Sequence, residues 1–383
     1  MKVIEIISKF YDNHSLSIVS RNLATYLDSM GIYNVCITPL DSFNSKYKLN
    51  TSVVKQLKNL ESKNFEAKDV DIQIRHSYPP IWRWPVSNKT KVIFIQPWEY
   101  SKVPFEWQYK FETFADALIT PSRWSGDRFL DSGLNPEKLF ILPNGFDNKV
   151  FHNNDRQKLN KFTFTYVGNH QFRKGLDIML QAWVKAFSSG DNCQLIIKDN
   201  PNVYGQNNIL NDILKIQYRT KCAKIRYIDD DLSDDQIGNL YRSTDVIVHP
   251  YRGEGFGMHI QEAMACGAYP LVSSNGPTDD FVTDQCGDKI TVIRKFLDLT
   301  QPDVFATKPG DSLTLMGQHA WIDEPDIKDL TNKLYKLYNM HNREEYLSKV
   351  NDAILFPWEK VVEDLSGIIE TIAERPVFRI LNE

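Results

Sequence analysis

Glu254 and Glu262 bracket the segment of this chain with the clearest chemical potential, Gly255-Phe256-Gly257-Met258 and the turn or two of helix that follows. Before it comes the apolar run Val246–His249, whose β-branched content and length are those of a buried strand. A helix is expected from about Met258 to a C-cap at Gly267, so the motif lies where a strand hands over to a helix. Phosphates are bound at such junctions. Gly255 and Gly257 let the backbone approach a ligand closely, and the helix start points free N–H groups and a positive dipole end at the same place. Acidic residues near a helix start also occur for dipole reasons alone, so the motif needs support from the elements around it.

Those elements form two βαβ series. The first runs through strand-like Val3–Ile7, a helix over Leu16–Met30, then Val35–Thr38, Val70–Arg75, Lys91–Gln96 and Ala117–Thr120. The second contains strands at Phe162–Val167, Gln194–Lys198, Ile225–Ile228, Val246–His249 and Ala268–Val272, with helices over Leu176–Phe187, Ile209–Tyr218 and Ser233–Arg242. Each rhythm implies a parallel sheet covered on both faces. The turn cluster Leu-Pro-Asn-Gly-Phe-Asp at 142–147 reads as a linker, giving an N-terminal domain of 1–145 and a C-terminal domain of 146–356. Residues 291–323, broken by Pro302, Pro309 and Gly310, read as an insertion in the second domain, followed by a helix near Ile327–Met340. Periodicity leaves the last helix, 357–373, open between the domains; our assignment joins it to the first.

Composition narrows the classes. At 383 residues, 42% hydrophobic and 25% charged, the chain suits a globular protein with two cores. A net charge of -4 gives no reason to expect nucleic acid. The small basic excess of the first 145 residues leaves room for weak peripheral contact with an anionic membrane. No run approaches the roughly 18 apolar residues that span a bilayer. The N-terminus enters a strand pattern directly, so the expected location is cytoplasmic, with the inner membrane face as an extension of it. Cys36, Cys193, Cys222, Cys266 and Cys286 are odd in number and lack a C-x-x-C pair, which argues against a disulfide framework and a zinc site.

Taken together, Tyr166-Val-Gly168 with Arg173-Lys174-Gly175, Leu240-Tyr241 through Asp245 and Pro250, the two-glutamate motif and the 142–147 linker resemble glycosyltransferase family 4. The resemblance spans nearly the whole chain and is strongest between about 118 and 285. Segments 75–80 and 95–100 look like those of a bacterial branch of that family.

The resemblance implies an α/β, GT-B fold: two Rossmann-like doubly wound parallel-sheet domains facing a central cleft. It also implies a retaining glycosyltransferase that needs no metal or cofactor and uses a nucleotide-diphosphate sugar, UDP- or GDP-linked, as substrate. The acceptor would be a glycan, glycolipid or glycoprotein in surface polysaccharide or glycoconjugate assembly. Arg173 and Lys174 would neutralise the leaving diphosphate, Arg by holding two oxygens and Lys as a point charge. Glu262 would bond the ribose hydroxyls and Glu254 would lie nearer the transferred sugar. The amides of Gly255, Phe256, Gly257 and Met258 would face the phosphates, and backbone around Tyr227–Asp231, including Ile228, the base.

The sequence departs from the family pattern in two places. His14-Ser15 stand where many members carry Gly-Gly, and Asn169 stands where an arginine is frequent. His76 and Glu99 follow expected strands and are candidates to orient sugar or acceptor, His76 being grouped with the catalytic residues; Gln96, which ends an expected strand and stands about where relatives carry a histidine, is a further acceptor-side candidate. His249 and His259 are expected to be structural. The aromatic-rich stretch Tyr78, Trp82, Trp84, Trp98, Tyr100, Phe105 and Trp107 suits either an acceptor surface or packing. An epimerase of the same fold is disfavoured by the paired glutamates and Arg-Lys. The alternative is a catalytically weak nucleotide-sugar-binding scaffold subunit.

Overall fold

The structure, a computed structural model, describes residues 1–63, 65–156, 159–200, 209–296, 321–340 and 348–376. Two compact units partition the chain: Met1–Trp98 with Lys102–Gly145 and Phe356–Glu383, and Glu99–Ser101 with Phe146–Leu355.

The first unit is built on six strands, β1 (Lys2–Ser8), β2 (Tyr33–Pro39), β3 (Ile72–His76), β4 (Lys91–Ile95), β5 (Ala117–Thr120) and β6 (Leu139–Ile141). They pair in parallel in the order β2-β1-β3-β4-β5-β6. Every residue of β3, β4 and β5 is buried, which is why these strands read as unbroken runs rather than alternating ones. From β1 the chain passes to β2 on one side and to β3 on the other. The switch point therefore lies between β1 and β3, where connections diverge and leave a crevice at the carboxyl ends. Ser8 and His76 are register partners at that edge.

Three helices of this unit, Thr51–Ser62, Phe105–Phe114 and Arg123–Leu130, have no counterpart in the sequence reading. Each buries too few positions to make a long periodic stripe; Thr51–Ser62 buries only Leu57 and Leu60. The C-terminal helix Trp358–Glu374 belongs to the first unit and packs on Ser15–Ser29. Glu370 accepts a hydrogen bond from Tyr33 Oη at 2.9 Å and pairs with Lys2 at 2.5 Å. Trp358 covers the backbone at Gly145, where a Cβ would stand 2.3 Å from the indole. Gly145→Ala is expected to cost about 1–3 kcal/mol by overpacking, read from the urea midpoint at unchanged m-value.

The second unit repeats the plan with β7 (Phe162–Val167), β8 (Cys193–Lys198), β9 (Lys224–Ile228), β10 (Val246–His249), β11 (Tyr269–Ser273) and β12 (Asp288–Ile290). All neighbours are parallel, in the order β12-β11-β10-β7-β8-β9. Its switch point falls between β7 and β10. The insertion expected over 291–323 begins and ends as an antiparallel ribbon of β13 (Val292–Phe296) and β14 (Trp321–Pro325); 297–320 lie outside the described residues. All five cysteines are buried free thiols. Among the described residues no helix is long and apolar enough to cross a membrane.

Candidate active site

Two loops meet at the carboxyl ends of β7 and β10. The first, 168–175, ends in a short 3-10 turn at Phe172–Lys174 and then Gly175, whose φ of 72° favours glycine. A Cβ at Gly175 would also fall 1.8 Å from the Pro250 carbonyl oxygen, so the contact between the loops requires a bare backbone. Tyr166 Oη, buried beneath the first loop, lies 3.1 Å from the carbonyls of both Asn169 and Lys174, which share its one proton. The Arg173 carbonyl accepts from the amides of Arg252 and Gly253 at 2.7 and 3.2 Å.

Arg252 locks the two loops together with its side chain. Its guanidinium grips both oxygens of Asp177 at 2.8 and 2.7 Å, donates to Glu324 from Nε at 2.5 Å and to the Phe172 carbonyl at 2.6 Å, and stacks 3.9 Å from the Phe172 ring centre. The planar fork of arginine suits this many-sided contact. Sequence reading missed Arg252 because its partners lie far away along the chain, in 172–177 and at Glu324.

At the meeting point Lys174 Nζ donates to Glu254 Oε2, and His249 Nε2 lies 3.2 Å from the same oxygen. Burial pushes the Glu254 carboxyl up, but the charge of Lys174, the His249 bond and the charge of Arg173 overcome it and hold the group well below the usual range. Glu254 is therefore an ionised carboxylate in a nearly dry site. Burial lowers the Lys174 pKa against the pull of Glu254. His249, fully buried, is pushed down to about 4 by burial despite its bond to Glu254, so its imidazole is neutral and Nε2 carries the proton donated to the carboxylate. The histidine expected to be only structural thus touches the central carboxylate. Arg173 reaches Glu99 at 3.6 Å and the Gly253 carbonyl at 3.3 Å.

Gly257, with φ 97°, caps the helix Met258–Ala265, and the amides of Met258 and His259 have no acceptor one turn back within it. The Gly255 amide donates to Glu254 Oε1 at 3.0 Å, so the motif glutamate also folds its own loop. The Phe256 ring is buried against Phe281 at 5.1 Å, leaving backbone as its contribution to a ligand. Glu262 accepts from Tyr241 Oη at 3.4 Å; burial, then the charge of Asp234, raises it to about 8. At the end of β9 the Ile228 carbonyl is taken by the Asp199 amide at 2.9 Å. Asn169, 2% exposed, accepts from the Gln171 amide through Oδ1, while its buried Nδ2 has no partner.

The acceptor candidates separate. His14 caps the helix Ser15–Ser29, its Nδ1 accepting from the Leu16 amide at 3.2 Å, and Ser15 is exposed. His76 is buried at the end of β3 and Gln96 is buried just after β4, its Nε2 donating to the Pro97 carbonyl. Glu99, assigned from sequence to the first domain, groups instead with the second unit, where it meets Arg173 and its carbonyl presses on Gly253. Strand order could not show this, because the chain crosses between units for only three residues. In the aromatic stretch, Trp82 packs 4.8 Å from Phe111 and Trp98 packs 5.3 Å from Trp107, an arrangement of a packed cluster.

Residues 147–290, which hold both loops and the helix, match the model of glycosyl transferases group 1. The chain is 22% identical over 264 residues to a putative glycosyltransferase 45 of a Sulfolobus islandicus filamentous virus, covering 64% of this chain and 66% of that protein. It is 29% identical over 160 residues to the MMP alpha-(1->4)-mannosyltransferase of Mycolicibacterium hassiacum, covering 42% of this chain and 36% of that one. The matches thus span less than two thirds of these relatives. The crystal structure of Anabaena Alr3699/HepE in complex with UDP and glucose superposes with a TM-score of 0.60 over 97% of this chain and 100% of that one, at 14% identity. The fold is that of the GT-B glycosyltransferase structures.

Proposed function

We propose that the protein is a retaining glycosyltransferase that takes a sugar from a UDP- or GDP-linked donor and passes it to a hydroxyl of a glycan, lipid-linked or protein-linked acceptor. The observation that carries this reading is the Glu254–Lys174–His249 cluster beside the amide-bearing start of Met258–Ala265, at the switch point of the second unit. A diphosphate fits that combination: helix amides and two cations meet its charge, which lets the protein itself stabilise the leaving group without a metal. The ionised Glu254 would then stabilise positive charge as the bond from the anomeric carbon to the phosphate oxygen breaks. The acceptor oxygen would bond to the same face of the sugar while its proton passes to an oxygen of the departing diphosphate. The likeness to a structure solved with UDP and glucose supports the donor class. We assign the work to the cytoplasm or the inner membrane face, in surface polysaccharide or glycoconjugate assembly.

Binding of UDP, GDP and ADP compared by thermal shift tests the donor half. A selective nucleotide at a hundred times its Kd should add about 2.7 kcal/mol of stability, whereas no shift with any of the three would contradict the reading. Glu262 adds a pH signature. Ribose hydroxyls donate to an ionised carboxylate, but in the empty site the raised pKa of about 8 keeps this group protonated near neutrality. Binding must then expel a proton. Affinity for the selected nucleotide is expected to rise up to about tenfold per pH unit below 8 and to level off above it, with Glu262→Gln abolishing the slope in calorimetric titrations.

A further inference from the structure

We infer that the carboxyl edge of β1 and β3 is a hydroxyl-binding site in which His76 Nε2, kept as a bare lone pair by Ser20 and Ser8, accepts a hydrogen bond from a carbohydrate hydroxyl. The inference rests on the proposed transferase reading only for the identity of the ligand. The state of the imidazole follows from proton counting. Ser8 Oγ lies 2.5 Å from the His76 carbonyl oxygen, which can only accept, so the single proton of Ser8 is spent there. Ser8 Oγ is also 2.7 Å from Ser20 Oγ, so Ser20 must donate to Ser8. Ser20 Oγ is in turn 2.9 Å from His76 Nδ1, and with its own proton committed it can only accept. Nδ1 therefore carries the imidazole proton and Nε2 does not.

The ring stays neutral, since burial, then the charge of His14, pushes its pKa down to about 3. A histidine that only filled the core would need a partner for Nε2 or would leave it sealed and unsatisfied. Among the described residues Nε2 has no hydrogen-bond partner, and it is not among the sealed polar atoms. The place is also the switch point of the first sheet, where open α/β sheets bind ligands. That edge thus offers a bare acceptor, which the O–H of a sugar hydroxyl can satisfy.

The test is 15N-resolved NMR of the histidines in the full-length chain at neutral pH, titrated with glucose, mannose and their N-acetylated forms. The expected result is a His76 ring protonated at Nδ1 with an unprotonated Nε2, whose resonance moves on addition of at least one of these sugars. Ser20→Ala is expected to shift the ring toward the Nε2-protonated form and to weaken the sugar response severalfold. A wild-type ring protonated at Nε2, or an Nε2 that none of the sugars perturbs, would overturn the inference. Neither readout requires donor binding or turnover, so a failure of the transferase reading shows separately, as absence of a nucleotide-induced thermal shift.

Discussion

Lys174→Met is expected to lower turnover of the sugar nucleotide by about two to three orders of magnitude, the scale of losing one preorganised charge at a developing anion. The loss should fall on kcat as well as kcat/KM, because the diphosphate gains negative charge as the glycosidic bond breaks. The same change orphans Glu254. Removing one partner of a buried pair costs about 3–5 kcal/mol when the other must stay charged, but a carboxyl can take up a proton instead, which caps the loss. The double variant Lys174→Met/Glu254→Gln separates the two effects. It should recover most of the urea-midpoint loss, since the neutral amide still bonds to His249, yet recover none of the turnover. Restored turnover in the double variant would show that Lys174 serves only to neutralise Glu254.

Arg252→Leu carries the second large effect. The guanidinium is 3% exposed and bonds to two carboxylates, a carbonyl and a ring face, all within the second unit. Truncating such a group leaves its partners unpaired, at about 3–5 kcal/mol for fully buried pairs. Asp177 is half exposed and can turn to water, so the lower end of that range is expected, measured by urea unfolding. Donor KM should rise with it, because Arg252 holds the loop of Arg173 and Lys174 against the loop of Glu254. Arg252→Lys keeps the charge but loses the fork, and should fall between the two.

The sequence made the two sheets legible because their strands are covered on both faces and read as apolar runs; β3 and β4 are buried at every residue. It also located the loops that follow β7 and β10, since glycines and carboxylates at a strand-to-helix junction are local features. What it could not show are contacts that depend on side chains meeting across distance. His249 reads as a core histidine until Glu254 Oε2 is found 3.2 Å away. Arg252 reads as one more charge in a loop until Asp177 and Glu324 close around it. Glu99 follows an expected strand of the first domain, yet three residues there cross to the second unit. The tautomer of His76 is set by two serines that carry no motif at all.

The most direct measurement is release of nucleoside diphosphate from UDP- and GDP-sugars, with and without carbohydrate acceptors, by the wild-type protein and Lys174→Met. Release from one donor that an acceptor stimulates, and that Lys174→Met loses, is the result expected of a transferase built on the Glu254–Lys174 pair. Tight nucleotide binding with no release from any donor, with or without acceptor, would contradict it and leave a binding subunit in its place.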